Sequence, residues 1–202
     1  MAKSNNVELS EVRKDLILSL SRTYTFDDQE ISTLDLGPVA ELTANDLIQA
    51  QKILTSRNYI ATNANTDLYF CMTLASIATG YPVEFFLELK MRDANAVKNR
   101  VASFTVAQVE DAQKVKLSRT YTYNDKTIAE LDLSGLEDLN AQAMTSTQIY
   151  LTSERYVTLL PETDIFYALV LAAKGTGYDV EFFRSLNIQD AYMVKNAVTA
   201  FF

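Results

Sequence analysis

The side chains best able to do chemistry in this chain are acids. Four pairs, Asp35/Asp132, Asp67/Asp164, Glu84/Glu181 and Asp93/Asp190, recur at one constant spacing. Paired carboxylates can move protons or hold a hard cation. Three of the pairs fall at or near expected helix starts, where a carboxylate complements the helix dipole. Capping and solvated faces therefore explain them better than acid–base work. The chain has no histidine, which removes the commonest general base, Cys/His nucleophiles and the usual zinc sites. Its one cysteine, Cys71, lies in an apolar stretch and corresponds to Ala168 in the other half, as a small core residue would. The five glycines form no phosphate-cradling cluster. The reading is of a protein without catalytic residues, cofactor or metal.

The spacing that pairs the acids governs the whole sequence. Leu20-Ser-Arg-Thr-Tyr-Thr25 returns as Leu117-Ser-Arg-Thr-Tyr-Thr122, and Leu34-Asp-Leu36 returns as Leu131-Asp-Leu133. Thr79-Gly-Tyr81 with Val83-Glu-Phe-Phe86 returns as Thr176-Gly-Tyr178 with Val180-Glu-Phe-Phe183. The offset is roughly 97 positions throughout, with about 37 identities in about 86 gapless pairs. The period is too long for a solenoid motif, so each copy is expected to be a small domain, over residues 1–108 and 109–202. The first includes a short polar tail. The link between them lacks Gly and Pro, so the copies are expected to pack together with pseudo-two-fold symmetry.

Each copy opens on alternation. Leu18, Leu20, Tyr24 and Phe26 oppose Ser19, Ser21, Thr23 and Thr25, and the second copy repeats this from Val115 to Tyr123. Asp27-Asp28 and Asn124-Asp125 supply turns, so each copy starts with a β-hairpin. Arg22 and Arg119 fall on the otherwise apolar face, where the stem can lie on the core and the head can pair with an acid. About four helices follow. Thr43 with Asp46, and Asn140, suit helix starts. A second, apolar helix is expected over about Ala64–Thr79 and Pro161–Thr176, stopped by Gly80 and Gly177. A short third helix carries the Phe pairs, and a fourth carries Ala94, Val97, Val101 and Phe104 or their counterparts. The expected class is α+β, mostly helical.

Aromatic residues are the strongest candidates for a binding surface. Phe85 and Phe86, like Phe182 and Phe183, are adjacent on a helix and cannot both point one way. With Tyr81 and Tyr178 they are candidate partner-binding residues; burial of all four Phe rings is the alternative. Hydrophobic residues make up 48% of the chain, enough for a core, and the net charge of −8 disfavours a phosphate backbone as partner. Ile165–Ala173, the longest apolar run, is too short to span a bilayer. No signal peptide is expected, nor any nucleic-acid or membrane partner.

The order of these motifs resembles the tail assembly chaperones of long-tailed bacteriophages and prophages. The shared order is a Leu-Ser-Arg-x-Tyr-like strand, Leu-Asp-Leu, a helix opening Leu-Thr-Ala-Asn-Asp-Leu, an apolar helix, Thr-Gly-Tyr/x-Val-Glu-Phe-Phe, and Asp-Ala-x-x-Val-Lys-x-x-Val-x-x-Phe. The resemblance covers nearly all of each copy, although members usually hold one such unit. It implies a chaperone that binds the tape-measure protein in the bacterial host cytoplasm, keeps it soluble for tail tube polymerisation and is absent from the virion. It further implies the tail tube protein as a second partner, and self-association. The alternative is a structural minor tail component or adaptor retained in the particle.

Overall fold

The computed structural model describes residues 16–63 and 66–202; the polar tail expected at the N-terminus and the expected opening of the second helix at Ala64 lie outside them. The architecture is α+β, with two small antiparallel hairpins and eight α-helices among the described residues. Strands β1 (Ile17–Phe26) and β2 (Gln29–Asp35) form one hairpin; β3 (Lys114–Tyr123) and β4 (Lys126–Asp132) form the other. Both turns have two central residues at positive φ: Asp27 at 46° and Asp28 at 58°, Asn124 at 48° and Asp125 at 59°. This backbone matches the right-handed twist of the strands, and Asp and Asn tolerate it better than other side chains do.

Both long strands bulge at the same place. Ser19 faces Thr33 and Tyr24 faces Ile31, so Leu20–Thr23 bows out opposite Ser32 alone. Lys116 faces Glu130 and Tyr121 faces Ile128 in the second hairpin. The alternation expected of β1 is thus interrupted in its middle. Arg22 sits in this bow and is exposed, not laid on the core. Arg119 donates from Nε to Tyr121 Oη at 3.2 Å and lies over that ring.

A 3-10 turn follows each hairpin, at Gly37–Glu41 and Ser134–Asp138. The helices are α1 (Ala44–Ser56), α2 (Leu68–Thr79), α3 (Val83–Glu88), α4 (Met91–Ser103), α5 (Ala141–Ser153), α6 (Ile165–Thr176), α7 (Val180–Arg184) and α8 (Ile188–Thr199). Helices α2 and α6 begin later than expected. Asp67 and Asp164 hold extended ψ angles of 125° and 136° and accept the N–H of Phe70 and Tyr167, so each marks a helix boundary. Pro161 instead opens a separate 3-10 turn, Pro161–Thr163. Gly80 and Gly177 end their helices at φ of 78° and 74°, as expected of left-handed caps.

The chain divides into two compact units. One holds the chain up to Glu41 and then Asn63–Ser103; the other holds Leu42–Thr62 and Phe104–Phe202. Helix α1 therefore belongs with the second unit although it lies in the first half of the sequence. These compact units divide the chain differently from the copies expected over 1–108 and 109–202. In the first unit α2 is central, against α3, α4 and the 3-10 turn, with β1 resting on α4. In the second, α6 is buried from Ile165 to Ala173 and is packed by α1, α5, α7, α8 and two 3-10 turns. At Gly175 a 3-10 turn approaches tightly: the Gly175 carbonyl would lie 2.2 Å from a Cβ placed on Gly135.

Candidate functional site

The repeated acids serve the fold. Asp35 and Asp132 accept the N–H of Gly37 and Ser134 at 2.8 and 3.0 Å, opening the 3-10 turns. Glu84 and Glu181 sit in the first turns of α3 and α7. Asp46 accepts both the N–H and the O–H of Thr43, at 2.8 and 2.7 Å. Among the described residues, no group of three or more His, Cys, Asp or Glu is placed to hold a metal ion. Cys71 is buried in α2, and burial pushes its thiol up to about 12, far from a reactive thiolate.

Asp93 and Asp190 do something helix-start reasoning misses. Asp93 is 3% exposed; it accepts Ser21 N–H at 2.9 Å, Ser21 O–H at 2.7 Å and Tyr24 O–H at 2.6 Å. Asp190, fully buried, accepts Ser118 N–H at 2.6 Å and Tyr121 O–H at 2.7 Å. Each bulge turns a backbone N–H out of its ladder, and a carboxylate from the last helix receives it. Burial alone would raise the Asp93 carboxyl, but hydrogen bonds from Tyr24 and Ser21 outweigh it and hold the pKa below the usual range. Asn187 caps α8 by accepting Asp190 N–H at 2.7 Å; the Asp190 carboxylate is spent on the hairpin instead of completing a capping box. The signal was the Ser-Arg-Thr-Tyr run itself, repeated together with its Asp.

Of the six aromatic candidates, the four phenylalanines lie in the core. Phe85, Phe86, Phe182 and Phe183 are each at most 3% exposed. Phe85 meets Tyr24, Phe26, Tyr81 and Phe86; Phe182 meets Tyr121, Tyr123, Tyr178 and Phe183. Adjacent helical rings point in different directions, but the hairpin closes over one side and the unit's own helices over the other. Tyr81 and Tyr178 are half-buried at the rim of these clusters. Tyr123 donates to Asp179 at the cap of α7.

The surface that receives a helix lies on the second unit, and α1 occupies it. Leu42–Ala44 runs antiparallel to Leu186–Ile188, with Ala44 N–H on Leu186 O at 2.8 Å and Ile188 N–H on Leu42 O at 2.7 Å. The body of α1 then lies on α6, α7 and α8 through Leu47, Ile48, Ala50 and Leu54, all fully buried. At its far end Lys52 reaches Glu154 at 3.2 Å, Arg184 approaches the same carboxylate at 3.8 Å, and Gln51 donates to Val157 O at 3.4 Å. The seat is made of apolar helix faces with a polar clasp at each end, the arrangement by which amphipathic helices are held.

A further acid with a shifted pKa caps α6. Asp164 accepts Tyr156 O–H at 2.9 Å and Tyr167 N–H at 3.0 Å; burial raises its pKa, and these bonds offset only part of the rise. Burial likewise lowers the half-buried Lys195, with the Asp164 charge opposing that shift.

Residues 18–106, a little under half of the chain, match the model of a family described as phage tail assembly chaperone proteins, E, or 41 or 14. No curated protein and no solved structure matches the chain.

Proposed function

From the phage tail assembly chaperone pattern carried by residues 18–106, we propose that this chain binds the tape-measure protein, keeps it soluble while the tail tube polymerises, and leaves before the virion is complete. The family match carries the reading. It implies a non-enzymatic role with a partner among tail proteins. We further propose that residues 109–202 are a second copy of the same unit, since their motifs and their order of hairpin, 3-10 turn and four α-helices follow those of the first half. The site of action proposed is the bacterial host cytoplasm. No helix among the described residues is long and apolar enough to cross a membrane.

Two physical features support a helical client. The second unit holds α1 by apolar helix faces and end clasps, a mode that suits amphipathic helices in general. The net charge of −8 favours solubility of a complex whose client is apolar. Co-expression with the tape-measure protein of the same phage should raise the soluble fraction of that protein and give a complex that copurifies. Copurification without any gain in solubility would remove the chaperone role. Mass spectrometry of purified particles tests release: stoichiometric amounts of this chain would establish a structural tail component.

A further inference from the structure

The seat of α1 on the second unit has a counterpart on the first unit that stands open. At the repeat offset, Leu186–Ile188 corresponds to Leu89–Met91, and Arg184 corresponds to Leu87. Ile188 is 1% exposed beneath Leu42–Ala44, whereas Met91 is 81% exposed and Leu87 is 50% exposed. The helix that corresponds to α1 is α5, and its matching face is open as well. Ala44, Leu47, Ile48 and Gln51 are buried in α1; their counterparts Ala141, Thr145 and Gln148 are exposed and Met144 is half-buried. Helix α5 packs on its own unit through Thr147 and Leu151, the counterparts of Ala50 and Leu54, which leaves that face free. A shallow hollow of about 410 Å³ runs along it, lined by Thr145, Gln148, Ile149, Thr152 and Ser153.

The residues that would meet have changed together. On the second unit, Lys52 of α1 and Arg184 of α7 are like charges held to one site by the Glu154 carboxylate between them. The two corresponding positions are Ile149 and Leu87, both apolar and both exposed, at 65% and 50%. A charged clasp needing a bridging acid is replaced by a pair that can touch directly. Each residue alone is an exposed aliphatic side chain; together they complete the contact whose template is already present within the chain.

We propose that the outer face of α5 in one copy of this chain docks on the Leu87–Met91 face of the first unit in a second copy, with Ile149 against Leu87. Every copy carries both faces. Reciprocal docking closes a two-fold dimer, and head-to-tail docking builds a longer ring or array. The proposal is independent of the tape-measure reading.

Sedimentation velocity of the full chain over a dilution series tests it. The wild type is expected to associate reversibly. I149K and L87R install the side chains found at the corresponding positions, and each should weaken association by about tenfold or more while leaving unchanged the thermal midpoint measured at dilutions where the chain is monomeric. I149E mixed with L87K should associate again where each alone does not. L87S serves if L87R perturbs folding. A chain that stays monomeric at every concentration, or association indifferent to all these substitutions, would overturn the proposal. So would variants that change stability without any dependence on concentration, since that would place α5 on its own chain's first unit.

Discussion

At the scale of single residues, the acids are the part of this protein most easily misread. Asp93 and Asp190 have the burial of catalytic carboxylates, yet each spends its oxygens on a bulged strand. Asp93→Ala or Asp190→Ala removes the acceptor of a strand N–H, of Ser21 or Ser118, and of a half-buried tyrosine hydroxyl. Each should cost about 2–4 kcal/mol in urea unfolding; a loss under about 0.5 kcal/mol would show that the hairpin is held by its aromatic contacts alone. Asp93 and Asp164, whose pKa values shift in opposite directions, respond to pH with opposite sign. Asp93 has its folded pKa lowered, so its contribution is complete above the unfolded value near ~3.9 and is lost as pH falls through the folded value. Asp164 has its folded pKa raised, so stability is greatest below ~3.9 and declines as pH rises from there through the folded value. Asp164→Asn keeps an acceptor for Tyr167 N–H and removes the buried charge. Its stability should therefore lack that decline, and unfolding midpoints measured at a series of pH values between the two limits will show whether it does. Sequence placed Asp67 and Asp164 near a helix start, where a carboxylate complements the dipole, without fixing them as the caps. It marked Asp93 and Asp190 only by their recurrence with the Ser-Arg-Thr-Tyr run; the contact itself was hidden, because a bulge is a mismatch between two strands and neither strand alone reveals it.

At the scale of elements, the hairpins and helix ends were legible because the chemistry that makes them is local. Asp27-Asp28 and Asn124-Asp125 tolerate positive φ, and Gly80 and Gly177 adopt it at helix ends. Gly80→Ala and Gly177→Ala should each cost about 1 kcal/mol from backbone strain alone, since an added Cβ would meet nothing within 4 Å. Gly135 is a different case. A Cβ there would fall 2.2 Å from the Gly175 carbonyl, so the 3-10 turn must back away from α6. Gly135→Ala should cost about 2 kcal/mol or more, read as a lowered thermal midpoint. The first half has Pro38 and Ala78 at these positions, so the close approach belongs to the second unit and no local motif announces it. The start of α6 was misplaced for a related reason. Pro161 suits a first helical turn, but Asp164 competes three residues later by accepting a backbone N–H, and the extended Asp164 backbone separates the two segments.

At the scale of the whole molecule, the sequence repeat and the compact units part company at α1. Repetition shows which segments are equivalent; it carries no information about which neighbour an equivalent segment packs against. Helix α1 has Leu47, Ile48 and Leu54 where α5 has Met144, Thr145 and Leu151, and the more apolar face is the one buried on α6, α7 and α8. The second unit should accordingly be incomplete without it. Residues 104–202 expressed alone should unfold at a lower temperature than the same unit in the full chain. A synthetic peptide of residues 42–62 added in trans should raise that temperature with saturation; no shift at any peptide concentration would mean the second unit stabilises itself. This crossing has a consequence during synthesis. The first unit has emerged once Ser103 leaves the ribosome, but α1, made long before, must wait for α8. At about 5–20 residues per second that wait is on the order of ten seconds. Throughout it, an apolar helix hangs as an unclaimed loop from a folded body, open to capture by the cell's own holdases or by a neighbouring nascent chain on the same message.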